Sequence, residues 1–307
     1  MVALNKNVIS LGSAQFGINY GITNTKGKVE LTEATKIIKK AIDNGIEYID
    51  TAAAYGNSEQ VIGKALSDCF GHKVKIITKP FPFVDYNSKL SDKVYLKSLL
   101  RNSVLKSYSN LNVKKIDTIM LHRAQHLKYQ FIIDELIKLK DEKLFNNIGV
   151  SVQNPEELDL ALRADYISAI QLPLNILDHR WDEFFYNIKK IKEKKKLKIH
   201  ARSIFLQGLL IDNTSSNWHK ANISEFKKVK SWIIKMIKDL NRTSIKDLCI
   251  NYVKGLNCVD SLVIGVENLE QLNENFFLNN NKPLDMIEIN HIKKTRPILD
   301  ISSLDPS

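Results

Sequence analysis

The sequence predicts an α/β fold of the (β/α)8 TIM-barrel type, and three observations carry that expectation. Short apolar runs alternate with amphipathic stretches along the chain, which implies parallel strands joined by right-handed crossovers. Eight such units occupy about 270 residues, the size of a closed barrel. Polar residues suited to proton transfer sit just beyond several runs, and catalysis in barrels collects at the C-terminal ends of the strands. Asp50 and Tyr55 follow residues 47–49, Lys79 follows 74–78, and His122 follows 116–121. Any one of them alone reads as a turn, packing or solvated residue; the signal is the set.

The elements follow in order. Residues 8–11 form the first strand, leading into Gly12-Ser13-Ala14-Gln15-Phe16-Gly17. That segment is not GxGxxG and is expected to open no helix, which argues against the alternative of a doubly wound open sheet. A helix begins near Leu31 with Thr32 as N-cap and closes at Asn44-Gly45. Residues 48–51 make the second strand, and Asn57 or Ser58 caps the next helix through Ile62, Ala65 and Leu66. Strand 74–78, helix 89–110, strand 116–121 and an amphipathic stretch 131–142 follow. Strand 147–152 precedes Asn154-Pro155-Glu156-Glu157, a capped helix start with proline at its first position. Strand 169–174 leads to a lysine-rich helix over 189–198, with Ile188 and Ile191 as its apolar edge. Strand 198–204, helix 244–255, strand 261–266 and helix 268–277 complete the series. Residues 210–225 break the rhythm and read as a long loop after the seventh strand, placed over the site if functional and a plain surface excursion if not.

Composition sets the outer bounds. The chain has 307 residues, 44% hydrophobic and 26% charged, with no Pro/Gly/Ser-rich linker, so residues 1–307 are expected to form one barrel domain with a C-terminal extension from about residue 279. No apolar run approaches the ~20 residues of a membrane span. The start, Met1 to Lys6, lacks a signal-peptide pattern, and three cysteines without CxxC spacing argue against a disulfide framework or a zinc site. A cytoplasmic location is the expectation. The net charge of +11 is concentrated in the lysines of 189–198 and reads as a wet helix face. No nucleic-acid motif accompanies it, so no nucleic-acid partner is expected, and the charge is available to attract an anionic small molecule.

These residues carry a resemblance. Gly12–Gly17, the signature Gly45-Ile46-Glu47-Tyr48-Ile49-Asp50-Thr51-Ala52-Ala53-Ala54-Tyr55-Gly56-Asn57-Ser58-Glu59, then Thr78-Lys79, Leu121-His122, Gly149-Val150-Ser151 and Ile264-Gly265 through Glu274-Asn275 occur in the order and spacing of the aldo-keto reductase superfamily, which the chain resembles over its whole length. The resemblance implies a (β/α)8 barrel that binds its nicotinamide cofactor without a Rossmann domain, usually NADPH, with NADH open. It implies a catalytic tetrad of Asp50, Tyr55, Lys79 and His122. The chemistry is coherent. Hydride attack on a carbonyl carbon builds charge on its oxygen, where a donor is needed. An unaided phenol keeps its proton up to a pH of about 10, and a neighbouring ammonium favours the phenolate. Asp50 would hold Lys79, and His122 would orient the carbonyl or assist proton transfer.

For the cofactor, the resemblance implies Ser151 and Gln171 at the carboxamide. Val152 stands where the family commonly has Asn, so one contact is missing or comes from Gln153. Arg202 stands where an aromatic ring commonly stacks, and a guanidinium plane can stack as well; a carboxylate partner on the rim is its other reading. Ser203, Phe205, Gln207 and Gly208 join the cofactor set, and they look like a bacterial subgroup. Gly265, Glu267, Asn268, Gln271 and Asn275 resemble the adenosine-phosphate site. Glu267 would repel a 2′-phosphate and accept from a ribose hydroxyl; it reads equally as a helix-start acid. Phe16, Tyr20, Arg123 and the 210–225 segment are the substrate candidates. The 14–24 segment resembles a bacterial subgroup associated with sugar and surface-polysaccharide biosynthesis, which points to a polar carbonyl such as a keto-sugar or sugar nucleotide. A non-catalytic, cofactor-binding regulatory barrel is the alternative; a lyase using Lys79 as a Schiff-base nucleophile is a third reading. The oligomeric state is not legible.

Overall fold

A computed structural model describes residues 8–69, 71–82 and 92–304. Met1–Lys6, and the first three residues of the expected 89–110 helix, lie outside them. The expected barrel is present. Strands β1 (Ile9–Gly12), β2 (Tyr48–Asp50), β3 (Lys75–Thr78), β4 (Ile116–Leu121), β5 (Phe145–Ser151), β6 (Ile167–Pro173), β7 (Lys198–Arg202) and β8 (Ser261–Gly265) are all parallel. They close in sequence order, with β8 pairing β1 through Gly12 and Gly265.

Helices surround the barrel: α1 (Ala14–Gly17), α2 (Leu31–Asp43), α3 (Ser58–Ser67), α4 (Lys93–Leu111), α5 (Gln130–Asp141), α6 (Pro155–Arg163), α7 (Phe184–Lys194), α8 (Ser215–Lys220), α9 (Phe226–Asp239), α10 (Ile245–Gly255), α11 (Leu269–Asn279) and α12 (Met286–Thr295). Capping explains several boundaries. Asn154, Ser244 and Asn268 each accept a backbone N–H from the third residue on, at 2.9, 3.2 and 2.9 Å. The stretch beyond residue 279 holds α12, which opens with a capping box between Asp285 and Glu288.

Four local expectations are corrected. The Gly12–Gly17 segment does open a helix, the single turn α1, because Phe16 must turn inward to the core. Helix α2 is capped at Glu30 rather than Thr32, which lies inside it. The lysine-rich helix ends at Lys194, and the lysines of 189–198 are not all wet. Lys192 and Lys198 bind Asp260 at 2.5 and 3.3 Å, and Lys195 donates to the carbonyls of Leu162 and Ala164 at 3.3 and 3.1 Å. Residues 210–225 are not an open loop: α8 occupies their middle, and Trp218 is fully buried against Phe226. Helix α9 follows with Val229, Trp232, Ile233 and Met236 buried, a stripe at helical spacing.

The barrel interior positions the site. Tyr48, Ile77, Met120 and Ala169 form an apolar cluster separate from the main core between barrel and helices. Gly149 makes room for it, since a Cβ there would lie 3.1 Å from the Met120 methyl carbon. Side chains two residues apart in a strand share a face. The residues two positions on from this plug are Asp50, Lys79, His122 and Gln171, so the apolar layer is the floor beneath them.

Candidate active site

Lys79 is 1% exposed, and its Nζ donates to both carboxylate oxygens of Asp50 at 2.8 and 2.9 Å and to the Thr51 carbonyl at 3.1 Å. Gln171 Nε2 donates to the same carboxylate at 2.8 Å. A buried charge pair is tolerated when its remaining valences are met, and this one is bidentate with two further partners. Above it, the Tyr55 ring lies 5.5 Å from Lys79 Nζ and 6.3 Å from the His122 ring, edge-on at 90°. Asp50, Tyr55, Lys79 and His122 thus converge, from three strand ends and one loop.

That loop is fixed by close approach. A Cβ on Gly17 would fall 1.7 Å from the Tyr55 carbonyl oxygen, and one on Gly56 would fall 2.3 Å from the Gly17 carbonyl oxygen. Gly56 also has φ +55°, a region that disfavours side chains. Ser58 Oγ donates to the Ser13 carbonyl at 2.9 Å, and Ala53 N to the Lys79 carbonyl at 2.9 Å, tying the loop to β1 and β3. Glu59, buried in α3, accepts from Thr78 Oγ1 at 2.7 Å; its role is structural.

Burial keeps the histidines neutral. The His122 imidazole is pushed down to about 3, first by burial, then by the positive charge of Lys79, with smaller pushes from Arg123 and Arg202. Burial likewise pushes His126 and His200 down to about 4. Unfolded, these rings titrate near 6.5, so below that pH the unfolded chain binds more protons and stability falls with pH. Their contribution is complete above pH 6.5 and is lost progressively toward pH 3–4. The urea midpoint is expected to drop through this window, and His200→Gln to flatten the drop. Equal slopes in the two proteins would contradict this account.

A cavity of about 1080 Å³, open solvent included, runs from Asp50 and Tyr55 past β7 to the start of α11. Gln171, Arg202, Ser203, Phe205, Gln207 and Gly208 line it on one side. Gly265, Glu267, Gln271 and Asn275 line its far end, and Tyr20 lines it as well. Ser151 is buried on β5 beside Gln171. Asn268 caps α11 through its side chain. Arg123 is solvent-exposed beside His122. Phe16 is corrected: it is fully buried in the main core, so it is unavailable to a substrate. Gln153 Oε1 accepts from Arg202 Nη2, so that oxygen holds the guanidinium at the β5 side of the cavity.

The residues present fit a nicotinamide nucleotide. The cavity is elongated and glycine-floored at the β1–β8 junction, where Gly12 and Gly265 bring no side chain. Ser203, Leu206, Gln207 and Gly208 all have positive φ, at 58, 50, 52 and 97°. They hold the β7 loop in a tight curl along the cavity wall. Thr23, Asn24, Gln15 and Lys246 also line it. Gln15 lay inside the opening motif, and its partner Gly265 comes from the last strand; a Cβ on Gly265 would meet Gln15 Oε1 at 2.4 Å. No local signal marks Lys246. Among the described residues there is no group of three or more His, Cys, Asp or Glu that could hold a metal, and no helix long and apolar enough to cross a membrane.

The profile of the Aldo/keto reductase family matches residues 8–297. The chain is 26% identical over 275 residues to the uncharacterized oxidoreductase YqkF of Bacillus subtilis, covering 85% of this chain and 86% of the relative. It is 25% identical over 272 residues to yeast (Saccharomyces cerevisiae) D-arabinose 1-dehydrogenase, covering 78% and 77%. Among solved structures, the holo form of aldo-keto reductase AKR11C1 from Bacillus halodurans superposes with a TM-score of 0.72 at 21% identity, over 95% of this chain and 93% of that one. The glycerol dehydrogenase AKR11B4 from Gluconobacter oxydans superposes with a TM-score of 0.68 at 20% identity, over 95% and 93%. At these identities the superpositions speak for the fold.

Proposed function

The chain belongs to the aldo/keto reductase family and is an oxidoreductase, and from that premise we propose that it reduces a polar aldehyde or ketone to an alcohol, with Tyr55 as the proton donor and NADPH or NADH as the reductant. The observation that carries the reading is the buried Asp50–Lys79 pair set beneath the Tyr55 ring, with the His122 ring across from it.

A bound nicotinamide supplies the hydride. The protein's part is position and charge. As the carbonyl oxygen gains negative charge, the Tyr55 hydroxyl delivers its proton there. The Lys79 ammonium, fixed by Asp50, favours the phenolate that remains. His122 is neutral, and the tautomer with its proton on Nε2 can donate to the carbonyl oxygen. Gln171 spends Nε2 on Asp50 and keeps Oε1 for a carboxamide. Arg202, held by Gln153, offers its guanidinium plane along the cavity wall.

A keto-sugar or sugar nucleotide is the substrate class we favour. The supporting feature is the polar part of the cavity lining, to which Tyr20, Thr23, Asn24 and Gln207 contribute. The three cysteines are free, and two of them are buried, which suits a cytoplasmic enzyme. The test is nicotinamide oxidation followed by absorbance with keto-sugars, sugar nucleotides and simple aldehydes. Turnover of the polar carbonyls at higher kcat/KM supports the reading. Good turnover of simple aldehydes with none of the sugars would remove the substrate class. Absence of turnover with every carbonyl would remove the reaction.

A further inference from the structure

Resting on the preceding reading, the chemistry at the far end of the cavity addresses which nucleotide the protein takes. NADH and NADPH differ only by a 2′-phosphate, which carries close to two negative charges at neutral pH. Its binding draws on unpaired cations and free amide donors, and this end of the cavity has committed its lysine and three of its amides elsewhere.

The cations come first. Among the described residues lining the cavity, Arg202 and Lys246 are the only lysines or arginines. Arg202 is engaged at the other end, with Gln153. Lys246, in the first turn of α10, donates to the Glu274 carboxylate of α11, and the pair is only partly exposed, at 21% and 42%. Glu267 lines the same end. Lys246, Glu274 and Glu267 together carry a net charge of about −1 at neutral pH.

Three amides at the start of α11 are likewise committed. A helix N-terminus takes phosphate through its free N–H groups. At α11, Glu267 N donates to Gln271 Oε1 at 2.9 Å, Gln271 N to Asn268 Oδ1 at 2.9 Å, and Leu269 N to the Glu33 carboxylate at 3.3 Å. The chain's own acceptors occupy these donors, and Glu33 places a further negative charge at the helix start. To gain these donors or this cation, a phosphate would have to displace the chain's own acceptors or pull Lys246 from Glu274. A ribose 2′-hydroxyl needs only an acceptor, which the Glu267 carboxylate supplies.

We propose that this protein selects NADH over NADPH, with Glu267 accepting from the ribose 2′-hydroxyl and the Lys246–Glu274 pair withholding the one cation a 2′-phosphate could use. The preference implied by the family resemblance is thereby reversed for this chain.

The test is equilibrium binding, read from nucleotide fluorescence without substrate. Wild-type protein is expected to bind NADH at least about tenfold more tightly than NADPH, with the gap narrowing as salt is raised. Glu274→Gln frees Lys246 and is expected to tighten NADPH binding about tenfold while NADH binding holds. Glu267→Gln should tighten NADPH and weaken NADH. Equal or tighter NADPH binding by wild type, or an NADPH/NADH ratio unmoved by Glu274→Gln, would overturn the proposal. Binding of neither nucleotide would remove the cofactor reading and this inference together, and is thereby told apart from a reversed preference.

Discussion

Tyr55→Phe is expected to lower kcat for carbonyl reduction about 10²- to 10⁴-fold, with nicotinamide nucleotide affinity unchanged. The substitution removes one oxygen and leaves the ring. The ring's place is set by the Gly17–Gly56 contact and by the loop's hydrogen bonds to β1 and β3, none of which involves the hydroxyl. Lys79 and His122 keep their positions relative to it. The loss therefore reports proton delivery alone. Equal turnover by Tyr55→Phe and wild type would defeat the assignment of Tyr55, and intact nucleotide binding in the variant would show that the failure was not one of folding.

The second large effect is on stability. Lys79→Met removes the ammonium from a carboxylate that is 3% exposed and leaves Asp50 with Gln171 as its side-chain donor. An uncompensated buried charge of this kind costs about 3–5 kcal/mol, which should appear as a lower urea midpoint at an unchanged slope. Pairing the change with Asp50→Asn removes the orphaned charge and should recover part of the loss. A midpoint for Lys79→Met equal to wild type would mean that the pair stabilises nothing. Both variants should be inactive, so stability and chemistry report separately on the same pair.

Much of this site was legible because its pieces are short-range. Parallel strands buried on both faces read as apolar runs, and Ile116–Leu121 was predicted to the residue. Caps with a side-chain acceptor, such as Asn154, announce a helix start in adjacent letters. Where the cap is backbone alone, as at Glu30, the sequence pointed to the nearest hydroxyl and missed by two residues. Helix α9 carries the helical period in Val229, Trp232, Ile233 and Met236, outside the strand–helix alternation that marks the other elements. The Asn, Ser and Thr of 210–225 before it have the composition of a loop. The buried Trp218 shows that the segment earns its order from packing, which composition does not display.

By itself the sequence determined which residues stand at strand ends and in what order, because the two-residue period of a strand and the apolar run before each polar residue are local properties. Only the tertiary structure decided what those residues meet. Closure of the barrel through β1 and β8 sets Asp50, Lys79, His122 and Gln171 over one apolar floor, across as many as 121 residues of chain between Asp50 and Gln171. Phe16, read as a substrate contact, went to the core because α1 turns it inward. Arg202 found Gln153, and Lys246 found Glu274, at separations of 49 and 28 residues. Contacts at such separations are fixed by how helices and strands close on one another in space, and a linear pattern holds no record of that closure.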